Sequence, residues 1–391
     1  MAHPCMPEQH TRQVWNLPHE LLAPLLLEAP DFSVLCDKGS RESIKENAGR
    51  FGVAPLVASL VRAHVSGDDR AWCDRILVDS WTRHERMLGQ LEFVLGVLAR
   101  KGIPAISLKG PLLAQRYYAP ALLRKPSMDL DLAVAEGDIA RACEALVAEG
   151  YELNSPVRDA FSQSHHVSLS HASRPRVELH FRLSHAAVGI RVEEFFGRTV
   201  PMRLPGGLEA RVLGPSDQLL HLALHLAHAR FGTLFYLYEV RRVWKAEPAA
   251  VRAEALRRAV EHRFCGALRM IDVAFRMRWG EPFLEPESGV PRTWLNWRLT
   301  PELYRRFEKW SSPGRKLSLG TRLQGRWLDF LITDGVGDAF RLVALFGRTA
   351  AMQVAEMEAW RTRRELRFVP AGTLPLRGAR SGQAKPPVLP G

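Results

Sequence analysis

Ser127-Met-Asp-Leu-Asp-Leu-Ala-Val134 reads as a strand with two chemically different faces. Side chains alternate along an extended chain, so Met128, Leu130, Leu132 and Val134 share an apolar face and Asp129 and Asp131 share the opposite one. Arg176-Val-Glu-Leu-His-Phe-Arg-Leu183 repeats the plan, with Val177, Leu179, Phe181 and Leu183 pointing one way and Glu178, His180 and Arg182 the other. If the two strands are neighbours, Asp129, Asp131 and Glu178 gather on one side of a sheet, the arrangement that binding a pair of divalent cations requires. Carboxylates at i and i+2 sit roughly 7 Å apart at their backbones, within reach of cations about 4 Å from each other. Hard ions such as Mg²⁺ or Mn²⁺ take oxygen ligands and complete their shells with water or substrate phosphates. Acids on the solvent face of a half-buried sheet are common, so the D-x-D spacing draws its weight from its surroundings.

Just upstream, Leu108-Lys-Gly-Pro-Leu-Leu-Ala-Gln-Arg-Tyr-Tyr118 follows an extended run and opens a helix. Gly110 lets backbone approach a ligand closely, a helix start offers free N–H groups to a phosphate, and Lys109 adds a point charge. Taken alone, this stretch reads better as a plain strand-to-helix turn with a surface lysine, and Arg124 alone as a solvated charge.

Working outward, apolar residues from Leu17 to about Arg100 recur at intervals of three and four, which predicts a helical N-terminal region over 1–100. From Gly102 the texture changes to short extended runs (Ile103 to Leu108, Met128 to Val134, His166 to Leu169, Val177 to Leu183) interrupted by helices, one starting near Asp138 and ending at Gly150. Pro205-Gly-Gly207 marks a hairpin or loop, and Pro215-Ser-Asp217 a helix start. The expected organisation is therefore an α+β core over 101–214, a small mixed sheet with flanking helices, set between the N-terminal helices and a helical region over 215–369. Residues 370–391, rich in Pro, Gly and Arg, read as a disordered tail.

Composition excludes several classes. The 391 residues are 46% hydrophobic and 25% charged, as in ordinary globular proteins. No apolar run reaches membrane-spanning length, and the first residues lack a basic patch followed by an apolar core, so a cytoplasmic protein with no membrane partner is expected. Cys5, Cys36, Cys73, Cys143 and Cys265 never fall in a C-x-x-C spacing, which argues for free thiols. The net charge is +12, and half of it lies from Arg341 onward, where nine Lys/Arg face three Glu. Such a tail could touch nucleic acid, although solvated charge in a flexible end is the commoner reading.

Lys109-Gly110, Arg124 shortly before Met128-Asp-Leu-Asp131, and Val177-Glu-Leu-His180 together resemble the uncharacterised nucleotidyltransferase family of the polymerase-beta-like superfamily. The resemblance runs from about Phe51 to Trp244 and is strongest from Gly102 to Leu183. The superfamily's usual Gly-Ser pair is replaced by Lys109-Gly110, as in this family. The resemblance implies Asp129 and Asp131 as ligands for Mg²⁺ (or Mn²⁺), Glu178 as the third acid, and Lys109, Gly110 and Arg124 around the triphosphate of an NTP. The implied activity moves a nucleoside monophosphate to a hydroxyl of an acceptor, whether small molecule, RNA or protein. A nucleotide-binding or regulatory module that has lost turnover is the alternative, and a nucleic-acid-binding protein using the tail is a third.

His221, His225 and His228 share one helical face, which favours packing or substrate contact over metal in the absence of an H-E-x-x-H pattern. The resembling family often carries histidines here followed by an acid, and Glu239 stands where an aspartate is usual. His165 and His166 read as strand-face residues. Trp294, Trp297 and Trp310 suggest packing between helices ahead of base stacking.

Overall fold

The computed structural model describes residues 29–311 except 158–160, 162–163, 184–189, 230, 232 and 293–298, together with residues 22, 24–27 and 334. The chain divides into a unit ending at Leu342 and a second beginning at Val343, the latter outside the described residues. Apart from residue 334, the expected helical region beyond 311 and the 370–391 tail lie outside them, as do Trp294, Trp297 and the Trp310 side chain.

Strands β1 (Ile106–Ser107), β2 (Asp129–Ala133), β3 (Glu152–Leu153), β4 (His166–Ser170), β5 (Arg176–His180), β6 (Val200–Arg203) and β7 (Glu209–Val212) form a mixed sheet in the order β3-β4-β5-β2-β1-β7-β6. Helices α1 (Lys38–Arg50), α2 (Ala54–Val61) and α3 (Gly67–Arg100) precede the sheet. Helices α4 (Pro111–Tyr117) and α5 (Ile139–Val147) lie between strands, and α6 (Pro215–His228), α7 (Leu234–Ala246), α8 (Ala249–Glu261), α9 (Cys265–Trp279) and α10 (Pro301–Ser311) follow. The fold is the mixed α and β architecture read from the sequence, with helical regions on both sides of the sheet in chain order.

β2 and β5 are parallel neighbours in the register Asp129↔Arg176, Leu130↔Val177, Asp131↔Glu178, Leu132↔Leu179 and Ala133↔His180. Parallel strands need a long crossover, and the segment between them supplies α5, the edge strand β3 and its neighbour β4. The apolar face of this pair, Leu130, Leu132, Val177 and Leu179, packs with Val167 and Leu169 of β4 against α5 and the C-terminal half of α3. All six are at most 2% exposed. A second core joins α1, α2 and α6 to α9 around Ile106, Leu108 and Leu213.

Three local details depart from the alternation and capping patterns. Met128 is 79% exposed, because pairing begins at Asp129↔Arg176 and leaves it one residue beyond the sheet. Asp138 occupies the N-cap position of α5 without a capping hydrogen bond, since its carboxylate accepts instead from Arg141. The second strand ends at His180, although Phe181 and Leu183 remain buried beyond it. The Pro205-Gly-Gly207 turn does join an antiparallel hairpin, β6 to β7, and Pro215 is the first residue of α6.

Leu179 is fully buried between β2, β4 and the helices behind them. Leu179→Ala is therefore expected to lower unfolding free energy by about 2 to 5 kcal/mol in urea titrations. A loss below about 1 kcal/mol would contradict this placement of the core.

Candidate functional site

The polar face of β2, β5 and β4 is assembled by register. Asp131 pairs with Glu178, Glu178 with Ser168, and His180 with His166, so these side chains emerge on one side. Helix α6 lies over that side and brings His225 within 3.4 Å of Lys109. α7 adds Tyr236, whose ring meets that of His225 edge-on at 4.5 Å.

Opposing charges knit the acids together. Lys109 Nζ lies 3.2 Å from Asp131 Oδ2, and His180 Nε2 lies 3.0 Å from Asp131 Oδ1. An ionised carboxylate only accepts, so His180 carries its proton on Nε2. Arg176 bridges the other two acids, donating to Asp129 Oδ2 at 2.8 Å and standing 3.2 Å from Glu178 Oε1. One oxygen each of Asp131 and Glu178 and one nitrogen of His180 lie within 4.8 Å of one another, the spread of a metal-binding group. Asp129 shares the face but is tied to Glu178 through Arg176.

The electrostatics follow burial and charge. Burial opposes ionisation of Asp131, yet Lys109 and the hydrogen bond from His180 hold its carboxyl well below the usual carboxylate range. Glu178 is pushed the other way, first by burial and then by the charges of Asp131 and Asp129. Burial takes His166 down to about 4, with the neighbouring His180 acting in the same sense. Burial and then Lys109 likewise depress His221 and His225 well below the ordinary imidazole value.

The loop before β2 and the turn after β1 frame this face. Gly110, the N-cap of α4, adopts φ +77° and ψ −140°, a conformation essentially reserved for glycine, with Ser127 Oγ 3.5 Å from where a Cβ would stand. α4 has only seven residues, so charge here comes chiefly from the Lys109 ammonium. Arg124 is anchored on a buried acid of helix α7. It is 6% exposed and paired with Glu239, 1% exposed, through Nε–Oε1 at 2.5 Å and Nη2–Oε2 at 3.3 Å. A further donation to Ser127 Oγ at 3.1 Å pins the residue beside Met128-Asp129. Its position makes Arg124 a strut for the start of β2, fixed by an acid on α7.

For several residues of the site the sequence shows the position and not the role. Arg176 and His180 alternate with Glu178, so the face itself flagged them; what was hidden is that they are counter-charges for Asp129 and Asp131. His165 and His166 converge with His180 through tertiary pairing that no local pattern announces. Of the α6 histidines, His221 is buried, His225 meets Lys109, and His228 is exposed beside His165, ring centroids 5.5 Å apart.

Residues 49–276 match the family described as uncharacterised nucleotidyltransferase, more than half of the chain, and the chain belongs to that family. No curated protein matches it. No helix among the described residues is long and apolar enough to cross a membrane.

Two outcomes follow from this geometry. Removing one member of the buried Arg124–Glu239 pair, as in Glu239→Gln, strands a buried charge and is expected to cost about 3 to 5 kcal/mol by denaturant titration. Unchanged stability would contradict the pairing. Neutral His166, His221 and His225 also make the fold acid-sensitive. Their folded pKa values lie below the ordinary 6.5, so the unfolded chain takes up protons first. The stability they contribute is complete above about 6.5 and drains as pH falls below it, reaching its limit near about 4 for His166, by up to about 1.4 kcal/mol per pH unit per histidine. The raised Glu178 acts in the opposite sense but is a single group. Urea midpoints in chelator at successive pH values test this, and a flat profile between pH about 7 and about 5 would contradict it.

Proposed function

We propose that this chain is a divalent-metal-dependent nucleotidyltransferase, moving a nucleoside monophosphate from an NTP to a hydroxyl of a small molecule, RNA end or protein side chain. The observation that carries the reading is the direct register of Asp131 with Glu178 on a face that also holds Asp129. The family supports the same general activity. The donor set fits Mg²⁺ or Mn²⁺: carboxylate oxygens dominate it, and the chain already places Lys109 and Arg176 cations against them. Asp129, Asp131 and Glu178 are the residues that would hold the ions. Bound there, such ions supply charge stabilisation to the attacking and leaving oxygens of an in-line phosphoryl displacement.

The chain's own groups complete the reading. Glu178, in register with Asp131, either completes the ligands of the ions or accepts the proton of the acceptor hydroxyl. Lys109, beside Gly110 at the turn after β1, is the cation for the triphosphate, and it can turn to a phosphate once Asp131 is otherwise neutralised. Arg176 must release Asp129 and Glu178 for both to act as ligands, and its half-exposed side chain has room to swing outward. Arg124 serves from behind, holding Ser127 and hence the entry to β2. In this reading 101–214 is the transferase core, and α6 and α7 close over its polar face. A cytoplasmic location suits an NTP-consuming enzyme.

The rival is a module that binds nucleotide without turnover. Retention of Asp129, Asp131 and Glu178 together favours the active reading. Asp129→Asn and Asp131→Asn are each expected to reduce Mg²⁺-dependent pyrophosphate release from labelled NTPs, assayed with cell extract as acceptor source, to background. Far-UV circular dichroism should stay unchanged. Undiminished release in both variants would reject the assignment.

A further inference from the structure

Beside the carboxylates lies a second group of ligands made of imidazoles. One ring nitrogen each of His165, His166 and His180 lies within 4.8 Å of the other two. The rings form a triangle with centroids 4.6 Å apart for His165–His166, 5.0 Å for His166–His180 and 5.3 Å for His165–His180. Backbone geometry explains how two consecutive residues aim the same way. The carbonyl of His165 accepts from both Phe181 and Arg182 amides, at 3.1 and 3.3 Å, a bulge-like pairing that breaks strand alternation just before β4.

We infer that His165, His166 and His180 form a site for a late first-row transition metal of the Zn²⁺ type, separate from the carboxylate group and sharing only His180 with it. His165 Nε2 and His166 Nδ1 are 3.3 Å apart. Two nitrogens at about 2.05 Å from a tetrahedral zinc stand about 3.3 Å from each other, so this edge is already at ligand spacing. His180 donates Nε2–H to Asp131, which leaves the lone pair on Nδ1, and Nδ1 is buried with no hydrogen-bond partner among the described residues. A carboxylate on the far nitrogen is the usual support of a metal-bound histidine. Glu178 Oε2, 3.8 Å from His166 Nε2, adds negative charge next to the group. Imidazole nitrogens suit Zn²⁺, Ni²⁺ or Co²⁺ and not Mg²⁺, so the two groups differ in the ions they select. Because His180 belongs to both, an ion on the imidazoles fixes the ring that hydrogen-bonds Asp131.

The inference stands on the imidazole geometry and does not require transferase activity. Its test is Co²⁺ titration of the chelator-treated full chain, read as visible d–d absorption, with Zn²⁺ competition. A saturable band at one ion per chain that Zn²⁺ displaces and Mg²⁺ does not is expected, retained in Asp129→Asn. His165→Gln and His166→Gln should each weaken Co²⁺ binding at least about tenfold. Both positions are partly exposed, and circular dichroism identifies any variant that fails to fold, in which case His165→Asn or His166→Asn takes its place. Absence of a band in the wild type would overturn the proposal. So would a band that survives in both folded histidine variants, or one abolished by Asp129→Asn and not by them, which would put the ion on the carboxylates.

Discussion

Like charge confined to one face of a sheet is the constraint to which the rest of this structure answers. Asp131 and Glu178 are locked opposite each other by β2–β5 pairing, with ligand atoms within 4.8 Å. At an effective dielectric of about 20, two unit charges so placed repel by about 3 to 4 kcal/mol. The chain answers with Lys109 and His180 on Asp131 and with Arg176 across Asp129 and Glu178. The resulting cluster keeps Asp131 ionised in spite of burial, whereas Glu178 stays easier to protonate. Two acids in one register thus acquire different chemistry from their surroundings, the division of labour that acid–base catalysis exploits.

Position of the cluster depends on layers well away from it. The apolar faces of β2, β4 and β5 pack against α3 and α5, which fixes the register and with it the polar face. On the opposite side, α6 and α7 contribute His225, Tyr236 and Glu239, the last of these holding Arg124 behind the start of β2. The α6–α7 region is therefore as much part of the site as the strands are, since it lowers solvent access around the histidines and anchors the loop that leads to Asp129.

Much of this was legible in the chain. Alternation in Met128 to Val134 and in Val177 to Leu183 marked two-faced strands, and the turn signals at Gly110, Pro205-Gly-Gly207 and Pro215 fell where elements start or turn. Composition of the counter-charge network was not legible, because it is made by partners far apart in sequence: Lys109 meets His225 and Arg124 meets Glu239 across more than a hundred residues. Arg124 alone reads as a solvated charge because nothing local shows that a buried acid awaits it. The exposure of Met128 had the converse cause, since alternation says which way a residue would point and not where the partner strand begins. His165 and His166 needed a break in alternation, which only the pairing with β5 reveals.

The most direct test of the account is a crystal structure with Mn²⁺ and a non-hydrolysable NTP analogue, with anomalous scattering recorded for manganese. Manganese density is expected between Asp129, Asp131 and Glu178, with Arg176 released from Asp129 and the Lys109 ammonium on the phosphate chain. Manganese bound elsewhere, with Arg176 still spanning Asp129 and Glu178 beneath the nucleotide, would contradict it.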